Sequence, residues 1–281
     1  MIKSKIKINF IDFWPGFNSH DNYFTNLISD NFDIEISNNP EVIFYSVFGT
    51  NHLNYNCTRI FFSGENIGPD FNTCDYSMCY DILDDPRHYR LPLYLFYKEY
   101  YDIIINKKVE ESLINRKFCN YVVSNGSFPL RNNFFEKLSR YKKVDSGGRF
   151  MNNIGGPVEN KSEFISNYKF TIAFENNAHR TTNHGYTTEK IIEPMIVNSI
   201  PIYYGNERIE LDFNTDSFVN YHDFSNEEDL IERIILLDSD DNEYYKMLKE
   251  PWLKNNKIPD NFEISNIKKF IFDIINKNKI K

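Results

Sequence analysis

The sequence predicts an α/β protein built from two Rossmann-like domains, and three observations carry that prediction. Residues 168–206 read as strand, polar loop, helix and strand. Apolar strand-like runs at 5–13, 32–36, 42–47 and 60–62 follow one another with short connectors, as in the first half of such a domain. The pattern then begins again at Phe118, and 281 residues suffice for two ordinary α/β domains. The boundaries expected are 1–113 and 114–281, with the terminal helix free to pack back on the first domain.

The unit at 168–206 is the most informative. Ile172 and Phe174 lie in a β-prone run, and Ser199-Ile-Pro-Ile-Tyr-Tyr-Gly205 is a second. Between them Thr187 and Thr188, followed by Glu189, signal a helix start, and Ile191, Ile192, Met195 and Ile196 supply its apolar face. A right-handed crossover of this kind puts the loop at the carboxyl end of the first strand, where open α/β sheets bind ligands. That loop holds Glu175, Asn176, Tyr186, Glu189 and Lys190. A phosphate can sit there against the helix amino terminus and the Lys190 ammonium. The same pattern also fits an ordinary βαβ unit with a polar turn.

Composition limits the function classes. A net charge of −8 and a pI near 5.4 argue against a nucleic-acid binder, which needs a basic face. A nucleotide-sized ligand needs only an Arg and a Lys in a pocket. The 19 Tyr and 25 Phe fit an AT-rich coding sequence and are read as core. No run reaches the roughly 18 to 20 apolar residues of a membrane span, and the amino terminus reads as a strand rather than a signal peptide, so a cytoplasmic protein is expected. Cys57, Cys74, Cys79 and Cys119 have no metal-ligand spacing and read as free thiols.

Along the chain, Trp14 stands at the end of the first strand, where an indole can floor a sugar site or pack into the core. Residues 21–30 read as a short helix. Ser63-Gly64 leads out of the strand at 60–62 and sets Glu65 at its carboxyl end, placed either to act as a general base or to lie solvated in a loop. Asp81, Asp84 and Asp85 read as a turn, and residues 94–116 as the passage between domains. The strand beginning at Phe118 ends in Ser124-Asn125-Gly126, and a helix follows with apolar residues at Leu130, Phe134, Phe135 and Leu138. Its first turn carries Arg131, which adds positive charge to an already positive helix end. An anion between the two resolves the conflict, as does an Arg turned to solvent. Ser225-Asn-Glu-Glu predicts a capping box, Asp238-Ser-Asp240 a helix start rather than a metal site, and residues 264–280 an amphipathic terminal helix.

Taken together, these blocks resemble the α-1,3/4-fucosyltransferases of glycosyltransferase family ten, in particular soluble bacterial-type members. The resemblance rests on Phe174-Glu-Asn176, Tyr186-Thr-Thr-Glu-Lys190 and Ile200-Pro-Ile-Tyr-Tyr-Gly205, with Phe62-Ser-Gly-Glu-Asn66, Arg90-Leu-Pro-Leu-Tyr94 and Val144-Asp-Ser-Gly-Gly148 as further blocks. It implies a GT-B fold, two Rossmann-like domains facing a cleft. It also implies inverting transfer of L-fucose from GDP-β-L-fucose to a GlcNAc hydroxyl of a galactose-containing oligosaccharide or glycoconjugate. By the family's motifs Glu65 falls on the general base and Arg131 and Lys190 on the pyrophosphate positions. Asn176 and Tyr186 fall on other donor contacts, and Glu189 on the residue that accepts from the ribose hydroxyls; Ser124 and Asn125 are further donor-side candidates. Trp14 and Asn66 are acceptor-side candidates. No cofactor or metal is expected to be required, with Mn²⁺ or Mg²⁺ stimulation left open, as is the oligomeric state. Transfer of another GDP-linked sugar, or an inactive sugar-binding homologue, are the alternatives. The loop at 177–185, with His179, Arg180 and His184, is longer than the family leads one to expect. The segment 97–116 is short for the family, and the carboxyl end lacks the heptad repeats of some members.

Overall fold

The computed structural model describes residues 3–176 and 185–279, which form two compact units: residues 3–96 with 259–279, and the described residues from 97 to 258. The long loop containing His179, Arg180 and His184 lies outside the described residues up to Gly185.

In the first unit, β1 (Ser4–Ile11), β2 (Phe32–Ile36), β3 (Val42–Tyr45), β4 (Thr58–Phe62), β5 (Tyr76–Cys79) and β6 (His88–Arg90) form one parallel sheet, ordered β2-β1-β3-β4-β5-β6. Helix α1 (Tyr23–Ser29) joins β1 to β2; the Asn22 side chain caps it by accepting from the Phe24 and Thr25 N–H groups. The terminal helix Ile264–Lys279 closes this unit. It buries Ile267, Ile271, Ile274 and Ile275, and sets Phe272 edge-on to Phe32 at 5.3 Å. Expected strand 42–47 ends two residues early, and the Arg90-Leu-Pro-Leu-Tyr94 block runs into a 3-10 turn, Leu93–Phe96.

In the second unit, α2 (Tyr101–Ile105) leads to β7 (Lys117–Tyr121), α3 (Pro129–Tyr141), β8 (Val144–Ser146), α4 (Lys161–Ile165), β9 (Tyr168–Phe174), α5 (Glu189–Met195), β10 (Ile200–Tyr204), β11 (Val219–Asn220), α6 (Glu227–Ser239) and α7 (Asp241–Lys249). The sheet is again parallel, ordered β11-β10-β9-β7-β8. Every residue of β9 is buried, as a central parallel strand covered on both faces requires. Asn226, not Ser225, caps α6, its side chain accepting from Asp229 N–H. Asp240 caps α7 by accepting from Asn242 and Glu243 N–H, while Asp238 takes bonds from Tyr141 and Lys142. The Asp238-Ser-Asp240 run is therefore helix chemistry.

By contacts within the chain the two compact units meet at 96/97 and 258/259. Residues between 97 and 113 are fastened to the second unit by long-range bonds. Asn198 Nδ2 donates to Lys108 O (2.7 Å). Lys107 Nζ donates to Glu250 O (2.7 Å) and lies 3.1 Å from the centre of the Trp252 ring.

Candidate active site

In each sheet the strand order reverses beside the first strand, and open α/β sheets bind ligands outside the carboxyl ends at such a point. In the second unit the reversal lies between β7 and β9. The loop after β7 carries Ser124 and Asn125, and the turn after β9 carries Glu175 and Asn176.

Arg131 joins these two loops. Pro129 opens α3, where its missing N–H costs nothing, and so sets Arg131 in the first turn. The Arg131 side chain does not turn to solvent: the residue is 2% exposed. Nη1 donates to Asn176 Oδ1 and Nη2 to the Asn125 carbonyl, both at 2.6 Å, while its buried Nε has no partner among the described residues. The Asn125 side chain closes its own turn by accepting from Ser127 N–H at 2.9 Å. Ser124 is exposed beside it.

A glycine contact holds this loop in place. A Cβ on Gly148 would meet the Val123 carbonyl oxygen at 1.9 Å, so the strand end of β8 packs backbone to backbone against the loop Arg131 grips. Phe150 N–H donates to the same carbonyl at 3.0 Å. Gly148→Ala is expected to lower the thermal midpoint, at a cost of roughly 1–3 kcal/mol for an overpacked site. A thermal melt checks this, and an unchanged midpoint would show that the contact does not support the loop.

Lys190 completes the cationic pair. Glu175, fully buried, accepts from Thr188 N–H (2.6 Å), from Thr188 Oγ1 (2.7 Å) and from Lys190 Nζ (3.3 Å). Lys190 Nζ also lies 3.5 Å from Glu189 Oε1 and donates to Thr188 Oγ1 at 3.0 Å. A Cβ on Gly205 would stand 2.5 Å from Glu175 Cγ, so β10 must end in glycine here for the carboxylate to fit. Burial raises the Glu175 pKa above the ordinary carboxylate value, with Lys190 and Thr188 only partly opposing it. Burial works against the Lys190 charge too, but Glu175 and Glu189 outweigh it and leave its pKa raised, with Arg131 opposing. Arg131 and Lys190 line one small cavity of about 40 Å³, together with Val123, Ala173 and Glu193. A larger cavity of about 390 Å³ along β11 and α7 holds none of the expected site residues.

Sequence reasoning missed the framework under this pair. The sequence puts Glu175 in the loop but not in the site, and Thr188 reads as a cap only. Its side chain does cap α5, accepting from Lys190 N–H at 3.4 Å, and also anchors Glu175. Asn206 Nδ2 bonds Thr187 Oγ1 at 3.1 Å and ties the end of β10 to the same turn. Tyr97 is a further neighbour: burial, then Glu189 and Glu193, push its phenol up to about 12. Tyr186 is buried and Glu189 half-buried.

In the first unit, Glu65 is exposed just beyond β4. Its backbone is fixed: Ser63 Oγ accepts from Glu65 N–H (3.0 Å) and donates to the Glu65 carbonyl (2.9 Å). Asn66 Oδ1 accepts from Tyr80 Oη at 3.0 Å, which makes its carbonyl end structural. Trp14 is 44% exposed, standing edge-on to Phe17 at 5.0 Å, with Phe17 stacked on Phe13 at 4.1 Å. The indole is thus neither buried core nor unsupported: an aromatic ladder holds it at the surface. Among the described residues no group of three or more His, Cys, Asp and Glu is placed to hold a metal ion. No helix among them is long and apolar enough to cross a membrane.

Comparison with known families bears directly on this geometry. The model of the glycosyltransferase family 10 (fucosyltransferase) C-terminal region matches residues 113–271, more than half of the chain. The chain belongs to glycosyltransferase family 10. The N-terminal domain model of α-(1,3)-fucosyltransferase FucT matches residues 8–97 of this family member. The α-(1,3)-fucosyltransferase FucT of Helicobacter pylori is 34% identical, over 80% of this chain and 55% of its own length. The chain therefore spans about half the length of that curated relative. A crystal structure of an α1,3-fucosyltransferase superposes with a TM-score of 0.85 at 28% identity, covering 98% of this chain and 91% of the other. Another, solved with GDP-fucose, gives 0.79 at 28% identity with the same coverage. The fold of this family 10 chain is accordingly of GT-B type, with two parallel-sheet α/β domains.

Proposed function

We propose that the protein transfers L-fucose from GDP-β-L-fucose to a GlcNAc hydroxyl of a galactose-containing glycan, forming an α-1,3 or α-1,4 link of Lewis type. One observation carries the reading: Arg131 and Lys190, from separate helices, line one cavity at the reversal of the second sheet. The H. pylori relative and the GDP-fucose complex of the α1,3-fucosyltransferase support the choice of donor.

The step is a single displacement. Glu65 takes the proton of the acceptor hydroxyl as its oxygen bonds to fucose C1, and the bond from C1 to the β-phosphate oxygen breaks on the opposite face. The β-donor thus gives an α-product. Negative charge grows on GDP as it leaves, and Arg131 and Lys190 meet it with preorganised donors. Asn176, held by Arg131, and Tyr186 line the donor, Asn125 supplies the loop the guanidinium grips, with Ser124 beside it, and Glu189 accepts from the ribose hydroxyls. Trp14 offers a ring for the acceptor, with Asn66 beside Glu65 in the chain. The reaction proceeds in the cytoplasm.

Because two cations neutralise the leaving group, we also propose that no metal is required. Initial rates in excess EDTA are expected to stay within about twofold of those without it, and a loss of more than about tenfold restored by Mn²⁺ would overturn this. Turnover of GDP-fucose against GDP-mannose, followed by mass spectrometry, tests the donor. Faster transfer from GDP-mannose would move the assignment to another sugar. GDP binding with no product from any donor would leave a binding homologue.

A further inference from the structure

A second polar cavity, about 670 Å³, opens in the first unit. It exists because β2 stops early. Strand β2 pairs with β1 only as far as Ile8 opposite Ile36, and β3 takes up the other edge of β1 from Ile8 onward. The chain at 37–41 steps across β1 at that level, with Ser37 N–H donating to Ile8 O and Glu41 N–H to Lys7 O. Phe10, Ile11 and Asp12 then continue β1 along one side of the cavity, and the loops at 38–40 and 51–57 form the rest.

Asp12 fixes one wall. It has a φ of 57°, and its buried carboxylate accepts from Asn51 N–H and Nδ2 (3.1 and 2.9 Å), from His52 N–H (2.9 Å) and pairs with His52 Nδ1 (2.7 Å). His52 in turn stacks on Tyr45 at 4.0 Å. Among the described residues the cavity's one carboxylate is therefore consumed internally, and neither Lys nor Arg lines it. What remains is amide. Elsewhere in the chain Asn side chains close turns and helix ends, as Asn22, Asn152, Asn160 and Asn226 do. Asn38, Asn39, Asn54 and Asn56, all four exposed, stand along the cavity, and none of their side chains is hydrogen-bonded to another described residue. Half-buried Tyr55 stands among them.

We infer that this cavity is a saccharide subsite, built for a neutral, polyhydroxylated ring of an extended acceptor glycan. A carboxamide presents a donor and an acceptor side by side, which matches vicinal hydroxyls, and a tyrosine ring gives a sugar's C–H face something to cover. Without a cation the cavity is unsuited to a phosphate, and without a large apolar wall to a lipid tail. The inference rests on the acceptor assignment above and adds preference for longer chains.

The test measures binding of a Gal–GlcNAc disaccharide and of its repeat-extended hexasaccharide to the whole chain by titration calorimetry, with GDP titrated separately. The hexasaccharide is expected to bind at least about tenfold tighter. Asn39→Ala/Asn54→Ala should abolish that advantage, and so should Asn54→Trp, which fills the cavity, while disaccharide and GDP affinities stay unchanged. Equal affinity of the two glycans for the unmodified chain, or an advantage that survives both variants, overturns the subsite. Fucose transfer to the disaccharide would then still stand. Loss of GDP binding in the unmodified chain instead counts against the proposed function, and a hexasaccharide advantage abolished by both variants would uphold the subsite even so.

Discussion

Glu65→Gln is expected to lower kcat by about 10²–10⁴-fold while leaving the Kd for GDP unchanged. The substitution keeps the size of the side chain and the Ser63 turn that fixes its backbone, both Ser63 bonds being to Glu65 main-chain atoms. Only the ability to accept a proton is removed. Stopped assays under saturating GDP-fucose and acceptor, with calorimetric GDP titration, separate the two quantities. Turnover within a few-fold of the unmodified chain would remove Glu65 from the base role. A loss that resides in KM for the acceptor alone would make it a binding group.

Lys190→Met is expected to be costly in a different way. Glu175 is fully buried and Lys190 is the cation beside it, so the variant leaves a charge without its partner. Breaking a buried pair from one side costs about 3–5 kcal/mol. Lys190→Met/Glu175→Gln should recover most of that stability, because the Gln carbonyl can still accept from Thr188 N–H. It should not recover activity, since the leaving group has lost a cation and a single preorganised donor is worth about 10²–10³ in kcat. Thermal melts of the single and double variants, beside their turnover numbers, check both halves. Equal recovery of stability and rate would make Lys190 purely structural.

Much of this site was legible in the sequence because it follows from local rules. Ile172 to Gly205 announced itself by periodicity and caps, and Arg131 by the electrostatic conflict of a cation in a helix's first turn. The partner that resolves the conflict was harder to find. Arg131 bonds Asn176, 45 residues away, and the Asn125 carbonyl, whose direction depends on Gly148 packing against Val123. The burial of Glu175 leaves no local trace for the same reason: β10 and the Thr188 turn close over it only in the folded chain. The placement of residues 97–113 depends on Lys107, Trp252 and Asn198, contacts whose sequence separation leaves no periodic trace. Asn226 displaced Ser225 as the α6 cap because both are good cap residues and one position decides which is used.

The central claim is that two cations on separate helices hold GDP-fucose for transfer to a GlcNAc hydroxyl. Incubating the chain with GDP-fucose and type 1 or type 2 Gal–GlcNAc acceptors, followed by linkage analysis of the product, tests it most directly. The account predicts one α-linked fucose on GlcNAc, at O3 of the type 2 chain or O4 of the type 1 chain, and no product from Glu65→Gln in the same time. GDP bound tightly with no fucosylated product from either acceptor would contradict it.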